Sequence, residues 1–327
     1  MKWLINSWYQ PHPIRWLLWP ISIVYRLIIW CRQALYTIGI FKHYKLPVPV
    51  IIVGNISVGG TGKTPLVIWL VKQLKLAGLR PGIISRGYGG NADHYPQLVT
   101  AHSDPSIVGD EPIIISRHTG CPMAVAPNRV AAGQLLLQQH DCNIIIADDG
   151  LQHYALERDI EIVVVDGQRL FGNQYCLPAG PLREPLSRLE YVDFIVHNGG
   201  SSVDYNMTLL QGQAINIADP NIKKDLSYFI GKPIHAIAGI GNPKRFFDQL
   251  SEQGLTIQAY PFTDHHIFTS TELQFDDDAP IIMTEKDSVK CQSFANKNMW
   301  YIAIEASISG KLDQQILQKL AGLSSHG

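Results

Sequence analysis

The 327-residue sequence predicts an α/β protein, a mostly parallel sheet with helices on both faces followed by a smaller α/β C-terminal lobe. Three observations carry this expectation. Short apolar runs alternate with loops and helical stretches, the pattern of strands buried beneath crossover helices. One run leads through a glycine-rich turn directly into a helix. The composition, 46% hydrophobic and 17% charged, is that of a folded chain with a sizeable core.

Residues 1–47 stand apart from the rest. They hold Lys2, Arg15, Arg26, Arg32, Lys42 and Lys45 and no acid, which leaves 21 basic and 28 acidic side chains beyond them. Five of the seven tryptophans (Trp3, Trp8, Trp16, Trp19 and Trp30) lie in the first 30 residues. A basic, Trp-rich, acid-free segment suits a layer of anionic lipid headgroups. The apolar run 16–30 contains Pro20 and Arg26, and Arg15 and Arg26 bracket only ten uncharged residues. That is short for a bilayer span of roughly 30 Å, so an interfacial helix or a shallow re-entrant anchor is expected. No small-residue cleavage site follows, which argues against a secretory signal.

From Val48 the pattern turns regular. Val48–Val53 reads as a buried strand ending in Gly54, and residues 64–77 as a helix stopped by Gly78. Strands are expected at 82–85, 123–126, 144–147, 162–165 and 194–196. After the loop 198–202 a second unit is expected, with strands at 235–238, 256–260, 281–284 and 300–304 and a helix at 244–252. The division is therefore 1–47, a membrane-associating segment; 48–200, the core; and 201–327, the smaller lobe.

The chemistry centres on Gly54-Asn-Ile-Ser-Val-Gly-Gly-Thr-Gly-Lys-Thr64. Glycines at 59, 60 and 62 allow a tight turn whose N–H groups point at phosphate oxygens, and the following helix adds its dipole. Lys63 suits the β- and γ-phosphates, Thr64 a magnesium ion, and Pro65 costs little in a first helical turn. Ser57 stands where the strict phosphate-loop pattern has glycine. The fold class is therefore of the P-loop NTPase type, with ATP and Mg²⁺ as the expected cofactors.

Acidic partners come from two places. The apolar strand before Asp148 and Asp149 delivers both to its carboxyl end, where a magnesium-holding acid is needed. Asp110-Glu111 is a second pair, in reach of the role of orienting an attacking hydroxyl and taking its proton. Arg86, Arg129 and Arg183 are candidate phosphate partners. Asp264-His-His266 could assist a carboxylate base, bind a metal or cap a turn. Thr284-Glu-Lys-Asp287 lacks the spacing of a guanine-recognition element, which favours adenine. Five widely spaced cysteines without a C-x-x-C pair indicate neither a disulfide framework nor a zinc site. The net charge of −1 gives no pull towards nucleic acid, and no protein partner is evident.

Together, the loop from Val58 to Pro65, S-R-G-Y-G, G-D-E-P, D-D-G-L-Q-H, G-P-L-R-E-P, D-H and T-E-K-D-x-V-K, in this order, resemble the tetraacyldisaccharide 4′-kinase family of lipid A biosynthesis. The resemblance covers nearly the whole chain and accommodates Ser57. It implies transfer of the γ-phosphate of ATP to the 4′-hydroxyl of a tetraacyldisaccharide 1-phosphate, giving lipid IVA at the cytoplasmic face of the bacterial inner membrane. It implies that Val58, Gly59, Gly60, Thr61, Gly62, Lys63, Thr64 and Pro65 bind ATP, and that Asp110 is the base, supported by His265. Asp148, Asp149 and Glu184, with Thr64, would serve magnesium and nucleotide. Arg86, Tyr88, Glu111, Arg129 and Arg183 would face the substrate. The alternatives are a P-loop kinase or ligase for a soluble acceptor, and a non-catalytic membrane-bound ATP switch.

Overall fold

The computed structural model describes residues 2–200 and 205–324; Ser201 and Ser202 of the expected linker, and the side chains of Lys2 and Trp3, lie outside the described residues. Helices α1 (Lys2–Tyr9) and α2 (Ile14–Thr37) precede β1 (Val50–Gly54) and α3 (Lys63–Leu76). Then follow β2 (Pro81–Ser85), β3 (Gln97–Val99), α4 (Pro105–Val108), α5 (Asp110–Thr119), β4 (Met123–Val125), α6 (Arg129–Gln139), β5 (Ile144–Asp148), β6 (Ile160–Asp166) and β7 (Phe194–Asn198). The second half holds β8 (Tyr205–Asn216), β9 (Lys223–Lys224), β10 (Pro233–Ala238), α7 (Pro243–Glu252), β11 (Thr256–Pro261), β12 (Ile281–Thr284), α8 (Glu285–Cys291), β13 (Met299–Ile308) and α9 (Leu312–Ser324).

The strands form one continuous sheet in the order β11-β10-β12-β13-β8-β7-β6-β1-β5-β2-β4-β3, with β9 beside β8. Parallel pairing runs from β4 through β2, β5, β1 and β6 to β7 and on to β8. β8 and β13 pair antiparallel and join the two halves, and β12, β10 and β11 extend the far half in parallel. The Val–Ile content of β1, β5 and β6 fits this placement, because a central parallel strand is covered on both faces and all its residues are buried. One cover is α3, α5 and α9, whose Leu66, Leu70, Ile113 and Ile316 share a core cluster with Ile51 and Ile146. The other is α6 with the loops after β5 and β6, where Leu136 and Leu182 meet Ile52 and Ile145. Cores around Phe229 and Phe247 on one side and Phe268 and Met283 on the other belong to the second half. Leu312, Ile316 and Leu320 of the last helix return to the core of the first.

The expected strands of both halves and the helices after Lys63 and Lys244 are present. The segment after Gly109, which carries the acidic pair Asp110-Glu111, is helix α5, beginning at Asp110. Pro112 fits because it lies in the first turn, where an amide has no intrahelical acceptor. The N-terminal helix is longer than the apolar run 16–30. α2 continues through Pro20 and Arg26 for 24 residues, about 36 Å at 1.5 Å per residue, and is long and apolar enough to cross a membrane by length and composition.

α2 lies along the protein by one narrow stripe. Ser22 is buried; its hydroxyl donates to the Cys176 carbonyl at 2.9 Å and accepts from the Ala179 amide at 2.9 Å. Tyr25 donates to the Arg183 carbonyl at 3.3 Å, and Gln33 to Glu184 at 3.1 Å. These positions recur at helical spacing. The rest of the helix surface carries exposed Trp16, Leu17, Trp19, Ile23, Leu27, Ile28 and Trp30.

Candidate active site

The site lies at the carboxyl ends of β1, β5 and β2. Neighbouring parallel strands put Asp148 opposite Val53, one residue before the glycine-rich loop begins. The loop is braced from below. Asn55 donates to the Thr61 hydroxyl at 3.2 Å, Asn198 donates to the Thr61 carbonyl at 3.0 Å, and Val58 donates to the Pro181 carbonyl at 2.8 Å. Gly62 has φ +94°, and a Cβ there would lie 2.5 Å from Asn198 Nδ2, so this position requires glycine. Gly59 and Gly60 stand exposed at the crest with open space above them. The amides of residues 59–62 donate no hydrogen bond among the described residues, and α3 starts at Lys63 with its own free N–H groups. Such a cradle of unpaired amides at a helix N-terminus is suited to an anion.

Lys63 Nζ lies 3.5 Å from Asp149 Oδ1, and Arg183 Nη1 lies 3.2 Å from Asp149 Oδ2. Burial alone would raise the Asp149 carboxyl, but Lys63 and Arg183 hold it below the usual carboxylate range. Asp148 is the opposite case. It is buried, with one oxygen accepting from the Ser85 hydroxyl at 3.2 Å and Oδ1 without a partner among the described residues. Burial, with the nearby charges of Glu111 and Asp149, pushes it up to about 7. A buried carboxylate with a free oxygen among like charges is a place that favours a cation. Among the described residues no group of three or more His, Cys, Asp or Glu is arranged to hold a metal ion unaided. This fits magnesium, which takes one or two carboxylates and completes its shell with phosphate oxygens and water.

Arg129 is buried at the start of α6; it donates to the carbonyls of Asp149 at 3.2 Å and Pro127 at 3.0 Å. Burial and the neighbouring Arg86 charge bring it down to about 10. Arg86 itself is exposed, and so is Tyr88. Glu184 is placed differently from the other candidate metal ligands. It is buried, accepts from Gln152 at 2.7 Å, from Gln33 and from the Tyr154 hydroxyl, and has Arg188 nearby at 3.8 Å. Burial raises its carboxyl, against the lowering effect of these donors. No described contact joins Glu184 to Asp148, Asp149 or Thr64.

A second acidic cluster forms where the two halves meet. Asp110 is buried at the N-terminus of α5, and His265 Nδ1 lies 3.3 Å from its Oδ2. The approach depends on glycine: Gly109 has φ +87°, and a Cβ there would lie 2.4 Å from the Tyr88 carbonyl. Tyr88 meets the His265 ring edge-on at 5.2 Å. Burial alone would raise Asp110, but the His265 hydrogen bond and the charges of Lys286, His265 and Lys290 hold it below the usual carboxylate range. Lys286, from the first turn of α8, lies 3.4 Å from Glu111, Asp264 and His265 alike. Residue types alone did not single out Lys286, Ser85, Asn198 or Gln152. Lys286, Ser85 and Gln152 each lay within a quoted run, T-E-K-D-x-V-K, S-R-G-Y-G and D-D-G-L-Q-H, while Asn198 lay only in the expected linker loop.

Comparison with known proteins supplies the frame. The model of the tetraacyldisaccharide-1-P 4′-kinase family matches residues 14–321. The tetraacyldisaccharide 4′-kinase of Nitrosococcus oceani is 52% identical over 97% of this chain and 94% of its own length. That of Methylobacillus flagellatus is 50% identical, covering 98% of this chain and 97% of its own. The crystal structure of LpxK from Aquifex aeolicus in complex with ATP superposes with a TM-score of 0.81 at 28% identity, covering 94% of this chain and 99% of that one. With matches that span almost its whole length, the chain belongs to the tetraacyldisaccharide-1-P 4′-kinase family.

Proposed function

We propose that this protein transfers the γ-phosphoryl group of ATP to the 4′-hydroxyl of a tetraacyldisaccharide 1-phosphate, giving lipid IVA in lipid A biosynthesis. The observation that carries the proposal is the pairing, in a chain of this family, of a braced glycine-rich loop with two separate acidic sites. Residues 58–65 cradle the nucleotide's phosphates through loop amides, Lys63 and the N-terminus of α3. Thr64, Asp148 and Asp149 hold Mg²⁺, with the free Oδ1 of buried Asp148 as the strongest support. When bound, the metal neutralises charge on the phosphate oxygens. Arg129 and Arg183 steady Asp149 from two sides and set the positive field behind the transferring group.

Asp110 orients the acceptor hydroxyl and takes its proton as the new bond forms, with His265 fixing the carboxylate. Arg86, Tyr88 and Glu111 face the sugar, as the exposure of Arg86 and Tyr88 beside this cluster supports. Glu184 serves by position: through Gln33 and Gln152 it ties α2 to the Asn55 carbonyl at the entry to the loop.

The outer face of α2 rests in the cytoplasmic face of the bacterial inner membrane. Its exposed tryptophans and aliphatic side chains, with exposed Arg26 and Arg32, support an anionic lipid surface as partner. This places the 176–184 loop, held by Ser22 and Tyr25, beside the lipid that carries the substrate. Incubation with ATP, Mg²⁺ and tetraacyldisaccharide 1-phosphate, followed by mass spectrometry of the lipid, tests the proposal. A mass gain of one phosphate is expected. Turnover of a soluble sugar instead, or ATP binding with no lipid product, would favour a soluble-acceptor kinase or an ATP switch.

A further inference from the structure

We infer that Lys286 is a positioning residue for the base: it sets the tautomer of the neutral His265 ring and opposes its protonation, so that His265 donates to Asp110 from Nδ1. The inference rests on the reading of Asp110 and His265 as the catalytic pair. Its basis is the geometry around one imidazole. On one side Nδ1 faces Asp110 Oδ2 at 3.3 Å; on the other, Nε2 faces Lys286 Nζ at 3.4 Å. An ammonium group has donors and no acceptor. Asp264 Oδ1 lies 3.9 Å from Nε2, beyond hydrogen-bond reach, so Nε2 accepts from Lys286, which leaves the ring proton on Nδ1, aimed at the Asp110 carboxylate.

The ring is fixed in this slot from several directions. His265 has φ +59°, and a Cβ on Gly89 would lie 3.3 Å from its Nδ1, so the S-R-G-Y-G loop gives way at a glycine where the imidazole passes. Lys286 is in turn held by Glu111 and Asp264 at 3.4 Å each, so its charge is retained although it is mostly enclosed. Among the described residues, the charged or titratable groups in contact with His265 are Asp110 from α5, Lys286 from α8, Asp264 from its own turn and Tyr88 from the loop after β2. The His265 imidazole is raised overall: the Asp110 hydrogen bond and the charges of Asp110 and Asp264 outweigh burial and Lys286, which oppose the rise. Protonating Nε2 would turn an N–H towards an ammonium 3.4 Å away. A protonated ring would still hold Asp110, but would draw down its basicity. Lys286 also comes from the second half of the sheet while Glu111 and Asp110 come from the first, so one side chain links the placement of α8 to the state of the base.

The test is ¹⁵N NMR of imidazole-labelled full-length protein, with His265 assigned by its absence in H265Q. In the wild type at alkaline pH, an Nδ1–H tautomer is expected; an Nε2–H tautomer overturns the inference without any variant. In K286M and K286Q the His265 titration should move to higher pH, and in K286R it should stay near the wild type. An unmoved or lowered titration in both neutral variants also overturns the inference. The kcat profile should follow, with loss on the order of tenfold at the acid end for K286M and an unchanged KM for ATP. If the NMR titration moves and the kcat profile does not, Lys286 sets His265 as inferred and the assignment of Asp110 as the base is what fails.

Discussion

Asp110 and His265 come from opposite halves of one sheet, and their side chains meet at 3.3 Å between Oδ2 and Nδ1. The proposed base and its support are thus assembled by the tertiary fold, with Asp110 on the first turn of α5 and His265 after β11. In the proposed mechanism the two act on one proton, so their effects should not add. Asp110→Asn and His265→Ala should each lower kcat, the former by roughly 10²–10⁴-fold, with the KM for ATP nearly unchanged. The double variant should lose little more than Asp110→Asn alone, and steady-state kinetics of the four proteins checks this.

The same pair sets a pH dependence. Asp110 is held below the ordinary carboxylate value and His265 lies above the ordinary imidazole value of 6.5. In the proposed mechanism the active form has Asp110 ionised and His265 neutral, so kcat should rise as pH climbs through the His265 titration, above 6.5. Replacing His265 by Asn should remove that step and move the acid limb down towards the carboxylate. A rate–pH profile of the two proteins decides it.

At the glycine-rich loop, Lys63→Ala should reduce kcat by on the order of 10²–10³-fold through loss of charge at the transferring phosphoryl group. Gly62→Ala should act differently. Its added Cβ would meet Asn198 at 2.5 Å with φ at +94°, so the loop must shift at a cost of about 1–3 kcal/mol. Weaker ATP binding by calorimetry and a lower Tm are the expected outcomes. Near-normal kcat in folded Lys63→Ala would refute the loop's role.

Magnesium should separate the acids. Asp148→Asn should raise the Mg²⁺ concentration needed for half-maximal rate, because the proposal assigns its buried, unpartnered oxygen to the metal. Asp110→Asn should leave that requirement alone. A magnesium titration at saturating ATP reads both, and the reverse pattern would mean that base and metal ligand had been exchanged.

Membrane binding should follow the outer face of α2. Changing exposed Leu17, Leu27 and Ile28 to Asp should move the protein from the vesicle pellet to the supernatant in sedimentation with anionic vesicles. The basic contribution, ~1 kcal/mol per residue near the surface, should weaken with salt. Substituting Ser22 or Tyr25 tests something else, since these hold the 176–184 loop. For that reason outer-face substitutions are the cleaner test than removing the helix.

Much of the first half was legible because its strands are apolar throughout. Val50–Val53 and Ile144–Ala147 bury every residue, which leaves an unbroken Val–Ile signal, and each ends at its functional group. β8 left no such trace, because in Tyr205–Asn216 only Met207, Ala214 and Asn216 are buried and the other residues, apolar Leu210 among them, are exposed or half-exposed. The segment after Gly109 reads locally as an acidic turn before a proline; only packing of Ile113 and Ile115 into the core makes it a helix. Lys286 carries no local mark of its role. Its meaning arises from Glu111, Asp264 and His265, which the fold brings to it from three segments.

The central claim is that phosphate moves from ATP to one hydroxyl of a lipid disaccharide. Its most direct test is ³¹P-¹H correlation NMR of the lipid product after incubation with ATP, Mg²⁺ and tetraacyldisaccharide 1-phosphate. The account predicts a second phosphomonoester coupled to the proton at the 4′ carbon, formed by the wild type and strongly reduced for Asp110→Asn. A phosphate coupled to any other position, or ATP consumed with the lipid unchanged, would contradict it.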